Sequence, residues 1–202
     1  MWQKRQNSFT FRQFNRPGSD RNEYLLINHN EAAAIDVAET FSEVADILRR
    51  EQLQLKYLLV THAHRSHLTA LQPLKSEFGG IFCLNRDDYD LLQSSGISME
   101  PDQFVKDNAA LKLGDGIIRV LHTPGHTRGS LCFYVKDADI LFSGRTLEKD
   151  GYGTIWGPTS MAWMLISLRR LDGTIHSAAV YPGRGESTTM RREAWLKCLR
   201  SH

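Results

Sequence analysis

The chain has 202 residues, of which 41% are hydrophobic and 24% are charged, a size and composition typical of one globular domain spanning residues 1–202. Its formal net charge is only +2, which argues against a broad basic surface for nucleic acid. No apolar stretch approaches the roughly 20 residues needed to cross a bilayer, so we expect no membrane-spanning segment.

The first half of the chain predicts short strands separated by single helices. The N-terminal segment Met1–Arg16 is polar and basic and lacks the apolar centre of a secretion signal. A turn over Pro17–Asp20 separates the first two strands. Thr40 and Glu43 have the spacing of a capping box, so a helix is expected to begin at Thr40. The other predicted elements are strands at Phe9–Phe14, Glu23–Asn28, Ala32–Val37, Lys56–Thr61 and Ile81–Asn85, and helices at Leu68–Phe78 and Asp87–Gln93.

The second half continues the same alternation without a linker or a repeat. Strand blocks that alternate with single helices indicate an α/β fold in which helices cover the faces of sheets. The predicted elements are strands at Ile117–Leu121, Ser130–Lys136, Asp139–Ser143 and Ala178–Tyr181, and helices at Ser160–Leu171 and Thr189–Arg200.

The three cysteines, Cys83, Cys132 and Cys198, are far apart and lie among apolar neighbours. The sequence contains no CxxC pair. These features predict small, buried, reduced side chains rather than disulfides. Reduced thiols favour a cytoplasmic location.

A histidine-rich segment directly after a predicted buried strand is the first candidate for chemistry. His62 and His64 are two positions apart, and side chains at that spacing on extended backbone point to the same side. His126 also follows a strand, and the Pro124-Gly125 turn before it presents its ring outward. Three imidazoles leave a fourth position open, which is the arrangement of a catalytic zinc site.

Four segments together resemble the motifs of metallo-β-lactamase fold hydrolases. Residues 61–67, THAHRSH, resemble the THxHxDH signature, and residues 122–130, HTPGHTRGS, resemble the second motif. Residues 141–147 lie where the family has a glycine–aspartate pair, and residues 181–185, YPGRG, lie where it has PGHG. The motif order matches from about Glu23 to Arg192, and the chain resembles small glyoxalase II-type hydrolases. The resemblance implies a single-domain, four-layer αββα sandwich with a metal site at one edge, between the sheets.

The resemblance also implies which residues hold metal. His62, His64 and His126 correspond to the three ligands of the family's first ion. The ligands of the second ion correspond to Ser66, His67, Arg145 and Arg184. Arginine offers no lone pair, and a serine hydroxyl of ordinary acidity cannot replace the carboxylate that serves as a base. We therefore expect a vestigial second site and at most one zinc ion per chain.

Two functions from different classes remain open. Loss of three of the four second-site ligands favours a non-catalytic or very weakly active homologue that binds a small-molecule or anionic ligand. Retention of the three first-site histidines favours a mononuclear zinc-dependent hydrolase of an ester, thioester or similar bond. The sequence does not identify the substrate or the oligomeric state.

Arg145 and Arg184 raise a related question, because both are expected to face one small cavity. Two like charges in a partly buried space are costly unless an anion lies between them. One interpretation is therefore a site for phosphate, sulfate or a carboxylate. The alternative is that nearby acids pair with the arginines and fill the space, with Glu148, Asp150 and Glu186 as candidates.

Overall fold

The computed structural model describes residues 9–201, without the side chains of residues 200 and 201. Residues 1–8, which form half of the polar N-terminal segment, and His202 lie outside the described residues. Over the described range, no helix is long and apolar enough to cross a membrane.

The first sheet takes its strands from the first half of the chain, and their order in the sheet is their order in the sequence. Its strands are β1 (Phe9–Phe14), β2 (Glu23–Asn28), β3 (Glu31–Ile35), β4 (Gln54–Leu59), β5 (Ile81–Leu84) and β6 (Gln103–Phe104). The first three strands pair antiparallel, and β3 to β6 pair parallel. Parallel pairing needs crossover connections, which are supplied by α1 (Phe41–Arg50), α2 (Leu71–Phe78) and α3 (Tyr89–Ser94).

The second sheet takes its strands from the second half. Its strands are β7 (Ala110–Leu113), β8 (Gly116–His122), β9 (Leu131–Val135), β10 (Ile140–Gly144), β11 (Ala179–Pro182) and β12 (Thr188–Thr189). They also lie in chain order, and only the β10–β11 pair among them is parallel. The crossover between β10 and β11 is the long helix α4 (Pro158–Thr174).

The two sheets pack face to face, and helices cover their outer faces. Strand β2 is buried throughout because successive side chains enter different layers. Tyr24 and Leu26 belong to the apolar cluster between the sheets, whereas Leu25 and Ile27 belong to the cluster under the helices. Complete burial of side chains of this size stabilises the fold by about 1.5–3 kcal/mol each.

The second sheet repeats this pattern on its own outer face. Val120 of β8 lies between the sheets, and the next residue, Leu121, packs in the cluster that contains Met164 and Leu168 of α4. The layers therefore run helix, sheet, sheet, helix. The predicted αββα sandwich is confirmed.

Several local predictions were wrong. The helix expected to begin at Thr40 is confirmed as α1, with Thr40 as its N-cap residue, but the capping box is not formed. The Thr40 hydroxyl donates instead to the buried Glu23 carboxylate over 2.5 Å. The helix expected over 68–78 begins at Leu71, because the chain before it forms turns of the 3₁₀ type: the Leu68 N–H donates to the Arg65 carbonyl and the Leu71 N–H donates to the Leu68 carbonyl. The strands β6, β7 and β12 were not predicted.

The C-terminal segment also differs from the prediction of a helix at Thr189–Arg200. Thr188 and Thr189 pair with β11, and a 3₁₀ helix follows only from Ala194 to Ser201. Threonine is β-branched and favours extended backbone, and the Thr188 hydroxyl donates to the buried Glu193 carboxylate over 2.5 Å. The same segment leaves Cys198 exposed, contrary to expectation, whereas Cys83 and Cys132 are buried as predicted.

Candidate metal site

Three histidines from two loops meet at one edge of the sandwich. His62 and His64 follow β4, and His126 lies in the loop between β8 and β9. One ring nitrogen of each lies within 4.8 Å of the others. The ring centroids are 4.8 to 4.9 Å apart, so the three rings form a nearly equilateral triangle. The residues predicted as first-site ligands are thus close enough to share one ion.

A backbone carbonyl sets the orientation of His126. Its Nδ1 lies 2.8 Å from the carbonyl oxygen of Thr154, and a carbonyl can only accept a hydrogen bond. The neutral ring therefore carries its proton on Nδ1 and its lone pair on Nε2. That Nε2 lies 3.2 Å from Nδ1 of His64, where a proton or a metal cation can satisfy both nitrogens.

A buried carboxylate sets the orientation of His62 through a threonine. The Thr61 hydroxyl donates to Oδ2 of Asp36 over 2.6 Å, and the Thr61 backbone N–H donates to Oδ1 over 2.8 Å. Because the Thr61 hydroxyl proton is donated to Asp36, the hydroxyl oxygen accepts a hydrogen bond from Nδ1 of His62, 3.1 Å away. The lone pair of neutral His62 is then on Nε2.

The electrostatic surroundings keep these rings neutral. Burial lowers the pKa of His62 well below its usual value, with further lowering from the neighbouring histidines. Burial also lowers the pKa of His64, and it lowers the pKa of His126 to about 4. Metal binding requires deprotonated imidazole, so all three can offer a lone pair at neutral pH. Three neutral imidazoles with an open fourth side fit a zinc-type ion.

Ser66 and His67 lie beside this triangle in the 3₁₀ turn of residues 65–67. His67 is buried, and burial lowers its pKa to about 3. Its Nδ1 lies 3.8 Å from Oδ2 of Asp36, and its ring centroid lies 4.2 Å from that of His62. Asp36, His62 and His67 also have ligand atoms within 4.8 Å of one another. Asp36 was not named from the sequence, although a carboxylate that directly follows the buried strand β3 was a usable signal.

Arg145 and Arg184 line the same cavity as the histidines, with a volume of about 570 Å³. Arg145 directly follows Gly144, whose φ of +55° and close approach to Thr61 leave no room for a side chain. Each arginine has an acidic partner: Arg145 pairs with Glu148, and Nη1 of Arg184 lies 2.6 Å from Oδ1 of Asp20.

The acids that pair with the two arginines agree only in part with the candidates named from the sequence. Glu148 was one of the three acids named from the sequence. Asp20 was not, and its hydrogen bond from Arg184 lowers its pKa. Glu186 pairs with Lys149 instead. Each of the two guanidiniums that line the cavity therefore forms an ion pair with a carboxylate.

Trp156 forms the exposed wall of the site, another feature that sequence analysis missed. Its side chain is 65% exposed, and its ring lies 6.4 Å from the rings of both His64 and His126. A second cavity, of about 490 Å³, shares these three residues and extends towards Leu91. Two cavities therefore adjoin the same three side chains, His64, His126 and Trp156.

Comparisons with known proteins agree with this geometry. Residues 18–183 match the model of the metallo-beta-lactamase superfamily. The chain is 29% identical over 157 residues to the hydroxyacylglutathione hydrolase of Francisella tularensis subsp. novicida (strain U112). The match covers 76% of this chain but only 59% of that enzyme, so the chain spans less than two thirds of the relative's length.

Solved structures share the whole architecture. The B3 metallo-beta-lactamase BLEG-1 superposes with a TM-score of 0.79 at 27% identity, covering 92% of this chain and 96% of its own. The di-iron-bound form of TTHA1623 superposes with a TM-score of 0.78 at 24% identity, covering 90% and 96%. This chain belongs to the metallo-beta-lactamase superfamily.

Proposed function

We propose that this protein binds a single divalent ion, zinc by preference, through His62, His64 and His126. We further propose that it acts mainly as a ligand-binding homologue with little or no hydrolytic turnover. The observation that carries this proposal is the pairing of Arg145 with Glu148 and of Arg184 with Asp20 beside the histidine triangle. Two guanidiniums held at second-site positions disfavour a second cation there.

The donor set supports the metal proposal. A bound divalent ion would polarise an oxygen ligand and lower the pKa of water, as such ions do in hydrolases of this kind. The protein's own contribution is to hold three rings with their lone pairs directed inward. The Thr154 carbonyl does this for His126, and Thr61 with Asp36 does it for His62.

Weak turnover follows from the groups that could handle protons. Ser66 has no carboxylate with which to orient an attacking water. His67 is buried, and burial lowers its pKa to about 3, so its neutral ring takes up a proton poorly. Each therefore makes a poor general base for a substrate that lies over the histidines.

A mononuclear hydrolase of an ester, thioester or similar bond is the second candidate. The two cavities lined by Trp156 favour it, because they provide room for a substrate in contact with His64 and His126. The similarity to hydroxyacylglutathione hydrolases suggests thioesters as the first substrates to test. In this case Arg184, whose side chain is 34% exposed, would bind the anionic part of the substrate.

The ligand of the binding-protein proposal is a small anion or an anionic molecule. It would compete with Glu148 for Arg145 and with Asp20 for Arg184. The Asp20 side chain is 61% exposed, so its ion pair is the easier one to exchange.

A hydrolase assay separates the two candidates. Zinc-reconstituted protein is incubated with a panel of thioesters and β-lactams, beside the His64→Ala variant prepared in the same way. We expect both proteins to hydrolyse these substrates at the same near-background rate. Robust turnover by the wild-type protein that is lost in His64→Ala would establish the hydrolase instead.

A further inference from the structure

Asp88 is a buried carboxylate that lies between the two histidine-bearing loops. It ends the 3₁₀ turn of residues 86–88 and precedes α3. Its exposure is only 1%, although it belongs to a surface turn. A buried carboxylate is retained only where hydrogen bonds replace its lost hydration, so its partners indicate its role.

Each of those partners comes from a loop that carries a proposed metal ligand. Oδ2 accepts from the backbone N–H of Ala63 over 3.0 Å, and Ala63 lies between His62 and His64. Oδ2 also accepts from the hydroxyl of Thr127, the residue after His126, over 2.9 Å. Oδ1 accepts from the backbone N–H of Gly129 over 2.7 Å. One carboxylate thus ties the loop of the first two histidines to the loop of the third.

The packing around this carboxylate leaves little freedom for the loop of His126. A side chain at Gly129 would approach the backbone nitrogen of Asp88 to 2.6 Å, so only glycine allows the observed contact. Ser130 adds a second tie, since its hydroxyl lies 2.7 Å from the Thr127 hydroxyl and accepts from the Thr127 backbone N–H. The loop of His126 is therefore held at several points against Asp88.

We propose that Asp88 is a positioning residue for the metal site, fixing the separation of His126 from His62 and His64. This inference rests on the proposed metal binding by those three histidines. Groups that orient metal ligands without touching the ion typically change metal affinity by 10- to 100-fold when removed.

A cobalt titration tests this role without relying on activity. Cobalt(II) is added to metal-free wild-type protein and to the Asp88→Asn variant, and binding is followed through the visible absorption of the bound ion. Asparagine keeps the size of the side chain but turns an NH₂ group towards at least one N–H or O–H donor. We expect cobalt to bind the variant about 10- to 100-fold more weakly, with shifted absorption bands.

Glu193→Gln is the matched control. Glu193 is also 1% exposed and accepts three hydrogen bonds, from the Asp150 backbone, Thr188 and Trp195, none of which belongs to a histidine loop. It should lower thermal stability while leaving cobalt affinity and the spectrum at their wild-type values. Wild-type affinity and an unchanged spectrum in Asp88→Asn would overturn the positioning role. If the wild-type protein itself bound no cobalt, the proposed metal site would be wrong as well.

Thr127→Val keeps the test decisive if Asp88→Asn fails to fold. It removes one donor to Asp88 with almost no change in volume. We expect a cobalt affinity about two- to tenfold lower than that of the wild-type protein, the usual effect of one hydrogen bond. An unchanged affinity in this folded variant would count against the proposal.

Discussion

Acid should weaken the fold of the metal-free protein through histidines that stay neutral inside it. Burial lowers the pKa of His67 to about 3 and that of His126 to about 4, below the ordinary value of 6.5. As the pH falls below 6.5, the unfolded chain therefore binds protons at these residues and the folded chain does not. Their contribution to the free energy of unfolding is complete above pH 6.5. It is lost progressively as the pH falls from 6.5 towards their pKa values in the folded chain.

The size of this effect follows from the same pKa values. Between pH 7 and pH 5, each of these two histidines should lower the free energy of unfolding by about 2 kcal/mol. Asp36 acts in the opposite direction, because burial raises its pKa to about 7 and the folded chain then binds a proton that the unfolded chain does not. Protonation of Asp36 in the folded chain therefore raises the free energy of unfolding by about 2 kcal/mol between pH 7 and pH 5. The net loss is about 2 kcal/mol, and His62, whose pKa is also lowered, adds to it.

Chemical denaturation at pH 7, 6 and 5 in the presence of a chelator measures these contributions. His126→Gln should remove about 2 kcal/mol of the acid-dependent loss, and Asp36→Asn should increase the loss by about the same amount. His176→Gln, which replaces an exposed histidine, is the control variant. If His126→Gln and Asp36→Asn both kept the wild-type change in unfolding free energy between pH 7 and pH 5, burial would not shift the pKa values of these two residues as described.

Two further predictions concern the arginines. The triple variant Ser66→Asp, Arg145→Asp and Arg184→His should recreate a second site and raise metal content towards two ions per chain; unchanged stoichiometry in the folded variant would mean that a position is misassigned. Phosphate should raise the melting temperature beyond what chloride achieves at equal ionic strength, because it binds the folded state. No such shift, or the same shift in Arg145→Ala/Arg184→Ala, would leave only the ion pairs as the role of these residues.

The parts of the site that could be predicted from the sequence are those with a local signal. His62 and His64 share a side of an extended segment after a buried strand, and His126 follows a Pro-Gly turn. The strands that carry these loops are marked by short apolar runs, which predict an α/β fold with helices on sheet faces. The four-layer αββα sandwich itself was predicted from the resemblance of four motifs to those of metallo-β-lactamase fold hydrolases.

Contacts between distant segments could not be predicted in the same way. Asp20 and Arg184 are 164 positions apart, and their pairing depends on how the N-terminal turn packs against the loop after β11. Asp88 lies in a short polar turn with nothing local to distinguish it from solvent-exposed acids. Trp156 lies outside every predicted element. Only tertiary packing brings these side chains to the histidines.

The predicted C-terminal helix failed for a related reason. A helix was predicted over Thr189–Arg200, but sheet pairing with β11 and the hydrogen bonds to Glu193 stabilise a different local structure. Tertiary contacts of this kind override local propensity.

Metal stoichiometry tests whether three histidines hold one ion beside the ion pairs of Arg145 and Arg184. The protein is saturated with zinc, freed of excess metal and subjected to elemental analysis, together with His64→Ala and His67→Ala. We predict one zinc ion per wild-type chain, retained in His67→Ala and lost in His64→Ala. Two ions per wild-type chain, or an ion that is retained in His64→Ala but lost in His67→Ala, would contradict the binding of one ion by His62, His64 and His126.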